Sequence, residues 1–388
     1  MLDVTANAKI TQINASVDRG GWECQFEVYN DTDLFDFGSN FQALWEGGFG
    51  GAPGTPRLGF NGYVVPSRFE FNPSGSVTTH VAQTSDGFLR RAWLQGIGFA
   101  DQDTTARAHY HQFDSVTGTT PERMTMGRLV RHILGYYDEL DTPPATNPDW
   151  VAHTNMVYHE TQNPHGWISL DGVEMEPFNA ISRPQGSMRV DKYIVRETDN
   201  LWSRLSEIAT NEFFYIYFDK FDKLWYQRHP MYATVLPTPV MTFDKDFLIG
   251  KPTIDYRYVD QLRQVKLHAV TDGGSTLHSE YPASPTYVYG NTTEQSYIRC
   301  NNQATLDNWC ERKYLFENRD YTVTWTAPGC VGLLFELLDR VQITYAGTSA
   351  NGVHVNWSEK KFWIHNIVVN PTAGNTGTTQ FTLEAENV

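Results

Sequence analysis

The sequence predicts a mainly β protein of the α+β class, with two antiparallel strand groups, each with one packed helix, flanking a mixed α/β insertion. Three observations predict it. Aromatic residues make up 14% of the 388-residue chain, and 30 Gly and 19 Pro accompany them, which is the mixture of strand formers and turn formers that β proteins use. Runs of alternating apolar and polar residues dominate both ends of the chain. Strands with a single amphipathic segment occur once at each end, without a residue-level repeat, so any duplication is one of shape.

The first unit is expected over residues 1–110. Five strands read as "AKITQINASV", "GWECQFEVYN", "FQALWEG", "GFNGYVVPSRFEF" and "GSVTTHVAQTS", separated by turns such as "GGFGGAPGTPRLG". A helix in "DGFLRRAWLQGIG" follows, with Asp86 as its cap and Phe88, Leu89, Trp93 and Ile97 as its apolar side. These elements read as a small antiparallel barrel or sandwich with one helix against it.

The insertion is expected over 111–245. In "TPERMTMGRLVRHILGYYDEL", Met126, Leu129, Val130, Ile133 and Leu134 line one face of a helix that "DTPPATNPDW" breaks. Residues 138–190, rich in Pro, Asn and Gly, read as irregular. Then "NLWSRLSEIATNEFFYIYFDKFDKLWYQRH" combines a helix and a hairpin. Leu201, Leu205, Ile208 and Ala209 share one helical face, and Asp199 or Asn200 can cap it. Phe214, Ile216 and Phe218 then alternate with their neighbours, and the tip "DKFDK" is expected in solvent, with Asp219 and Asp222 as turn residues rather than a reactive carboxylate pair. The segment "HPMYATVLPTPVM" reads as an extended linker.

The last unit is expected over 246–388. It opens with the strand run "KPTIDYRYVDQLRQVKLHAV" and continues, after a loop, with a helix in "NQATLDNWCERKYLFENRD", whose Leu306, Trp309, Cys310, Lys313 and Tyr314 share a side. Strands "YTVTWTAPG", "LLDRVQITYAG", "GVHVNWS", "KKFWIHNIVVNPT" and "TTQFTLEAEN" complete it.

A formal net charge of −15 leaves no basic surface to grip a phosphate backbone, so stable nucleic-acid binding is not expected. The N-terminus shows no basic region followed by an apolar run, and no stretch reaches the ~18 apolar residues of a membrane span, so a product without a membrane anchor, made in the cytoplasm, is expected. Cys24, Cys300, Cys310 and Cys330 lack CxxC spacing and are expected to be reduced and mostly buried.

Signals of chemistry are sparse. His109 and His111 in "HYH" would face one side of a strand, but no third ligand stands at a supporting spacing. The acidic pairs "DTD" at 31–33, "DQD" at 101–103 and "DKD" at 244–246 read as loops. No GxSxG, HExxH, GxGxxG or P-loop is present, and the triplets "NTT" and "NWS" carry little weight without a secretory leader. No catalytic, cofactor-binding or metal-binding residue is therefore assigned, no cofactor is expected, and an assembly component is favoured over an enzyme. The rival is a carbohydrate-binding or glycoside-hydrolysing β protein, for which the 11 Trp and the acidic pairs speak.

The order of these pieces resembles the baseplate hub family of phage tails, which includes the late control D proteins of contractile tails and related injection systems. The residues that carry the resemblance are "MTMGRLVRHIL", the unit from Asn200 to His229, "LLDRVQITYAG" at Leu337 to Gly347, and the closing strands "KFWIHNIVV" and "TTQFTLEAEN". An unusually aromatic hairpin and the long irregular stretch at 138–190 depart from the family pattern. The resemblance implies two tube-like β-barrels per subunit and a homotrimer whose six barrels form a ring. Its implied partners are a hexameric tail tube protein above, a trimeric spike protein below and other baseplate proteins around it, with DNA passing through an acidic channel unbound. It also implies a place in the virion after assembly in the host cytoplasm. Because the chain stops soon after its last strands, a separate spike protein, as in contractile tails, is expected, with a distal tail protein as the nearest alternative.

Overall fold

The computed structural model describes residues 8–29, 40–45, 57–72, 75–90, 110–114, 192–196, 200–212, 214–222, 224–228, 236–256, 262–271, 274–285, 291–300, 303–318, 321–348, 354–371 and 377–386. The expected mainly β, antiparallel architecture is present. Strands β1 (Ala8–Ser16), β2 (Gly21–Tyr29), β3 (Asn40–Trp45), β4 (Arg57–Asn72) and β5 (Gly75–Gln83) match the five strands read from the sequence. A four-residue helix α1 (Asp86–Leu89) starts where the expected helix begins and gives way to a turn at Arg90; the rest of the expected helix lies outside the described residues. The helix expected near 121–140 and the irregular stretch lie outside the described residues.

The chain continues through β6 (Tyr110–Asp114), β7 (Lys192–Arg196), helix α2 (Leu201–Glu212), β8 (Phe214–Phe218) and β9 (Leu224–Arg228). The last part holds β10 (Met241–Phe243), β11 (Thr253–Tyr256), β12 (Leu262–Val270), β13 (Thr276–Tyr281), β14 (Asn291–Arg299) and helix α3 (Gln303–Glu317). It closes with β15 (Tyr321–Pro328), β16 (Arg340–Thr348), β17 (His354–Asn370) and β18 (Thr378–Ala385). Two strands expected around residue 359 are one: β17 runs for 17 residues, with Glu359 at φ 59° and a register shift against β16 between Ile343 and Tyr345. That irregularity breaks the alternation without breaking the strand.

The two strand groups share one 11-stranded sheet, in the order β11-β15-β18-β17-β1-β2-β5-β4-β3, with β16 and β10 branching from β17. The join is β1 against β17, where Ile13 pairs with Val369 and Ala15 with Ile367. Among the described residues no barrel closes. The two groups, expected as separate units, are continuous because the second half of β17 offers β1 the edge that β16 leaves free past Trp363. One core underlies both groups. Phe243 sits at its centre, with ring centroids 5.0 Å from Phe247, 5.1 Å from Phe381, 5.6 Å from Phe335 and 5.9 Å from Trp325. Each such side chain contributes roughly 1.5–3 kcal/mol by burial alone. Trp325 also donates its indole N–H to the carbonyl of Phe247 at 2.6 Å, so its polar edge is satisfied inside the core.

A second, smaller core sits apart. The sheet β13-β12-β14 packs against α3 through Val265, Leu267, Ala269, Leu306, Trp309 and Cys310. The predicted side of α3 is the buried one, but the sheet it covers is this three-stranded one. The run 251–270 therefore divides: β11 joins the large sheet and β12 the small one.

Candidate functional site

The unit from Asn200 to Arg228 is where sequence and structure differ most. Asn200 caps α2 by accepting the Ser203 N–H at 3.1 Å, and Leu201, Leu205, Ile208 and Ala209 are buried, as their spacing predicts. The hairpin β8–β9 does not alternate, however: Tyr215, Ile216, Tyr217 and Phe218 are all buried. Both of its faces are covered. Phe218 stacks on Trp202 of α2 at 6.1 Å, while Tyr215 and Tyr217 enter the large core.

The approach is close enough to require glycine. Gly20, at φ 85°, accepts the Phe218 N–H at 2.9 Å, and a Cβ there would lie 2.0 Å from the Trp202 ring.

The hairpin tip, expected in solvent, is buried instead: Asp219, Lys220 and Asp222 are 5%, 8% and 2% exposed. Each of its charges has a fixed partner. Asp222 accepts the Ser85 N–H and hydroxyl, both at 2.6 Å. Asp219 accepts the Phe221 N–H and the Trp225 indole N–H, each at 2.9 Å. Lys220 donates to the Leu333 carbonyl at 3.0 Å and the Phe335 carbonyl at 3.5 Å, and pairs with Glu336 at 3.0 Å. Its own carbonyl accepts the Asn61 N–H at 2.9 Å. The tip thus ties β4 and the start of α1 in the first strand group to the 3-10 turn Val331–Leu334 and the segment after it in the second.

Burial sets the electrostatics here. Desolvation raises the Asp222 carboxyl well above its ordinary range, against the pull of its Ser85 hydrogen bonds. Glu336 is pushed up to about 7 and Asp86 to about 6, again by burial first, with Lys220 and the Thr84 hydroxyl opposing respectively. Asp339 is raised too, though it accepts the Glu336 N–H at 2.8 Å. Acidic groups near neutrality inside a protein mark sites of proton chemistry or of deliberate structural tension. Here the oxygens of Asp219 and Asp222 are spent on backbone, hydroxyl and indole donors, so they act as ties. Sequence reasoning missed Ser85, Lys220 and Glu336, which no local pattern singles out; the "LLD" of the strand motif did point near them through Asp339.

Other residues weighed for chemistry fall elsewhere. Asp244 caps the 3-10 turn Lys245–Phe247 by accepting from Asp246 N and Phe247 N, so "DKD" is a structural turn. His111 lies in β6, paired with Val195 of β7; His109, "DTD" and "DQD" lie outside the described residues. Three of the four cysteines are buried and Cys330 is half-buried, none in a disulfide. Of the Trp residues whose side chains are described, Trp22, Trp202, Trp309, Trp325, Trp357 and Trp363 are buried. No described helix is long and apolar enough to cross a membrane.

No family model and no curated protein matches this chain. Among solved structures, the tail protein from Neisseria meningitidis MC58 is similar over 98% of this chain and 93% of its own, at 12% identity and a TM-score of 0.58. The 43 kDa tail protein of prophage MuSo2 from Shewanella oneidensis aligns over 97% of both chains at 11% identity and a TM-score of 0.49. Prophage tail protein gp18 from Listeria monocytogenes EGD-e aligns over 96% of this chain and 87% of its own, at 11% identity and a TM-score of 0.48. The first likeness shows the fold alone: this chain is folded like the Neisseria tail protein.

Proposed function

We propose that this chain is the structural baseplate hub of a phage-type tail, and not an enzyme. Three copies form a ring that adapts the six-fold tail tube to a three-fold spike and lines part of the DNA path in the virion. One observation carries the reading: two consecutive strand groups lie side by side in one sheet through β1 and β17, so each subunit can present two adjoining sets of strands to a six-fold neighbour. The finer architecture belongs to the proposal as well: tube-like barrels over 1–110 and 246–388 flank the insertion at 111–245, and each barrel is completed in the assembly. The buried hairpin tip fits this role, because it braces the two strand groups against each other. Three chains at −15 each carry about −45, and carboxylates facing the lumen would keep DNA off the wall within about 8 Å at physiological salt.

The carbohydrate-binding reading has less support, because the Trp residues named above are buried rather than set out along a groove. Native mass spectrometry of the chain with its tail tube and spike partners, followed by reconstruction of the tail, tests the proposal. A trimer between tube and spike is expected. A stable monomer in every mixture, or a lumen lined mainly by Lys and Arg, would overturn it; a hexameric ring would point to a distal tail protein.

A further inference from the structure

The small sheet has two unlike faces. Val265, Leu267 and Ala269 of β12 turn toward α3, so the alternate residues Lys266 and His268 turn away from it. On β13 the residue directly across from His268 is His278, and the two Nδ1 atoms lie 3.2 Å apart. The outer nitrogen of each ring meets a carboxylate. His278 Nε2 is 2.7 Å from Glu280 Oε1, and His268 Nε2 is 2.9 Å from Glu294 Oε1 on β14, the latter as an ion-pair contact rather than an aligned hydrogen bond.

A carboxylate beside Nε2 favours the tautomer that carries its proton there, and in a neutral ring this leaves Nδ1 as a bare lone pair. Two such lone pairs facing each other at 3.2 Å repel unless a proton, which makes one ring the donor of a hydrogen bond to the other, or a metal ion lies between them. That separation is close to the ~3.3 Å expected of two nitrogens bound at about 2.0–2.1 Å to one tetrahedral ion. The surrounding charge favours a cation, with Glu280 and Glu294 set against Lys266, whose Nζ is 3.5 Å from Glu280.

We propose that His268 and His278 form a cross-strand chelate for one divalent transition-metal ion of the Zn2+, Ni2+ and Cu2+ class, with Glu280 and Glu294 as positioning carboxylates. Among the described residues no group of three His, Cys, Asp or Glu could hold a metal, so the two imidazoles are the ligands drawn from them. The rings are 39% and 44% exposed, which leaves the remaining positions to water or to a ligand from a neighbouring molecule. Imidazole selects this class over Mg2+ and Ca2+. Protons compete for the same lone pairs, so affinity falls on acidification.

Calorimetric titration of the untagged full-length chain with ZnCl2, NiCl2 and MgCl2 at pH 7.5 tests this. A saturable one-ion event is expected with Zn2+ and Ni2+ and none with Mg2+. His268→Asn and His278→Asn should each weaken it at least ~10-fold, and Glu280→Gln by about 10–100-fold. The nitrogen hyperfine pattern of bound Cu2+ should report two imidazoles in the parent and one in either His variant. Both rings are exposed, so the variants are expected to fold, and an unchanged circular dichroism spectrum checks this. No Zn2+ event in the parent, or equal isotherms for the parent and His278→Asn, would overturn the proposal.

Discussion

The chain lays a helix on a small group of strands twice, and the two uses are built differently: β8 and β9 are antiparallel, whereas β12 pairs in parallel with β14. In the first, α2 covers the hairpin β8–β9, whose other face enters the large core and whose charged tip is buried against both strand groups. In the second, α3 covers β12–β14 and shares a separate core, and the far face of that sheet stays polar and open. Attachment follows the same contrast. The hairpin tip reaches out to Ser85, Asn61, Leu333 and Glu336, whereas α3 is held by its own sheet, with Asn318 donating to the Leu262 carbonyl at 2.7 Å and Gln303 to the His278 carbonyl at 2.8 Å. The first unit therefore shares the stability of the whole molecule, and the second should open on its own.

Lys220→Ala should have the largest effect. It strands a buried carboxylate and two carbonyls, and loss of one partner of a buried pair costs about 3–5 kcal/mol. Denaturant unfolding at pH 8 should show one cooperative transition shifted as a whole; an unchanged midpoint would mean that the tip is not a brace. Leu306→Ala removes a fully buried side chain from the small core and should cost about 2–5 kcal/mol. Here hydrogen exchange should accelerate in β12, β13 and α3 and little in β15, β17 and β18. Uniform acceleration would erase the contrast.

The acid cluster gives a smaller effect of predictable sign. Glu336 at about 7 and Asp86 at about 6 lie above their ordinary values of 4.5 and 3.8, so the folded state binds protons more readily than the unfolded chain. Their contribution is fullest at low pH and is lost as pH rises through about 6–7. Thermal stability should therefore increase from pH 8 to pH 5, and Glu336→Gln should flatten that slope. Below that window the opposite sign takes over at Glu23, whose carboxyl is lowered by Arg19, Gln83 and Gln25 against its own desolvation. The smallest effect is expected for Asn200→Ala, which removes the α2 cap at a cost of about 1 kcal/mol. Because α2 belongs to the braced unit, this loss should appear in the global transition and not as local fraying.

The sequence by itself determined most of the elements, but not β13 and β14, which fall in a stretch expected to be a loop. Period two marked β1–β5 and β15–β18, period 3.6 marked the buried sides of α2 and α3, and Asn200 marked a helix start, because these signals depend on neighbours a few residues away. The tertiary structure alone decided what each element faces. The tip "DKFDK" looks like any solvated turn, since nothing within it records that Ser85 and Glu336, far off in the chain, hold partners for its charges. Fusion of the two strand groups through β1 and β17 was equally hidden, because a strand edge carries backbone groups that are alike in every sequence and pair wherever the chain path brings them. His268 and His278 stand ten residues apart with no metal-binding spacing, and only the register of an antiparallel pair sets their rings opposite each other.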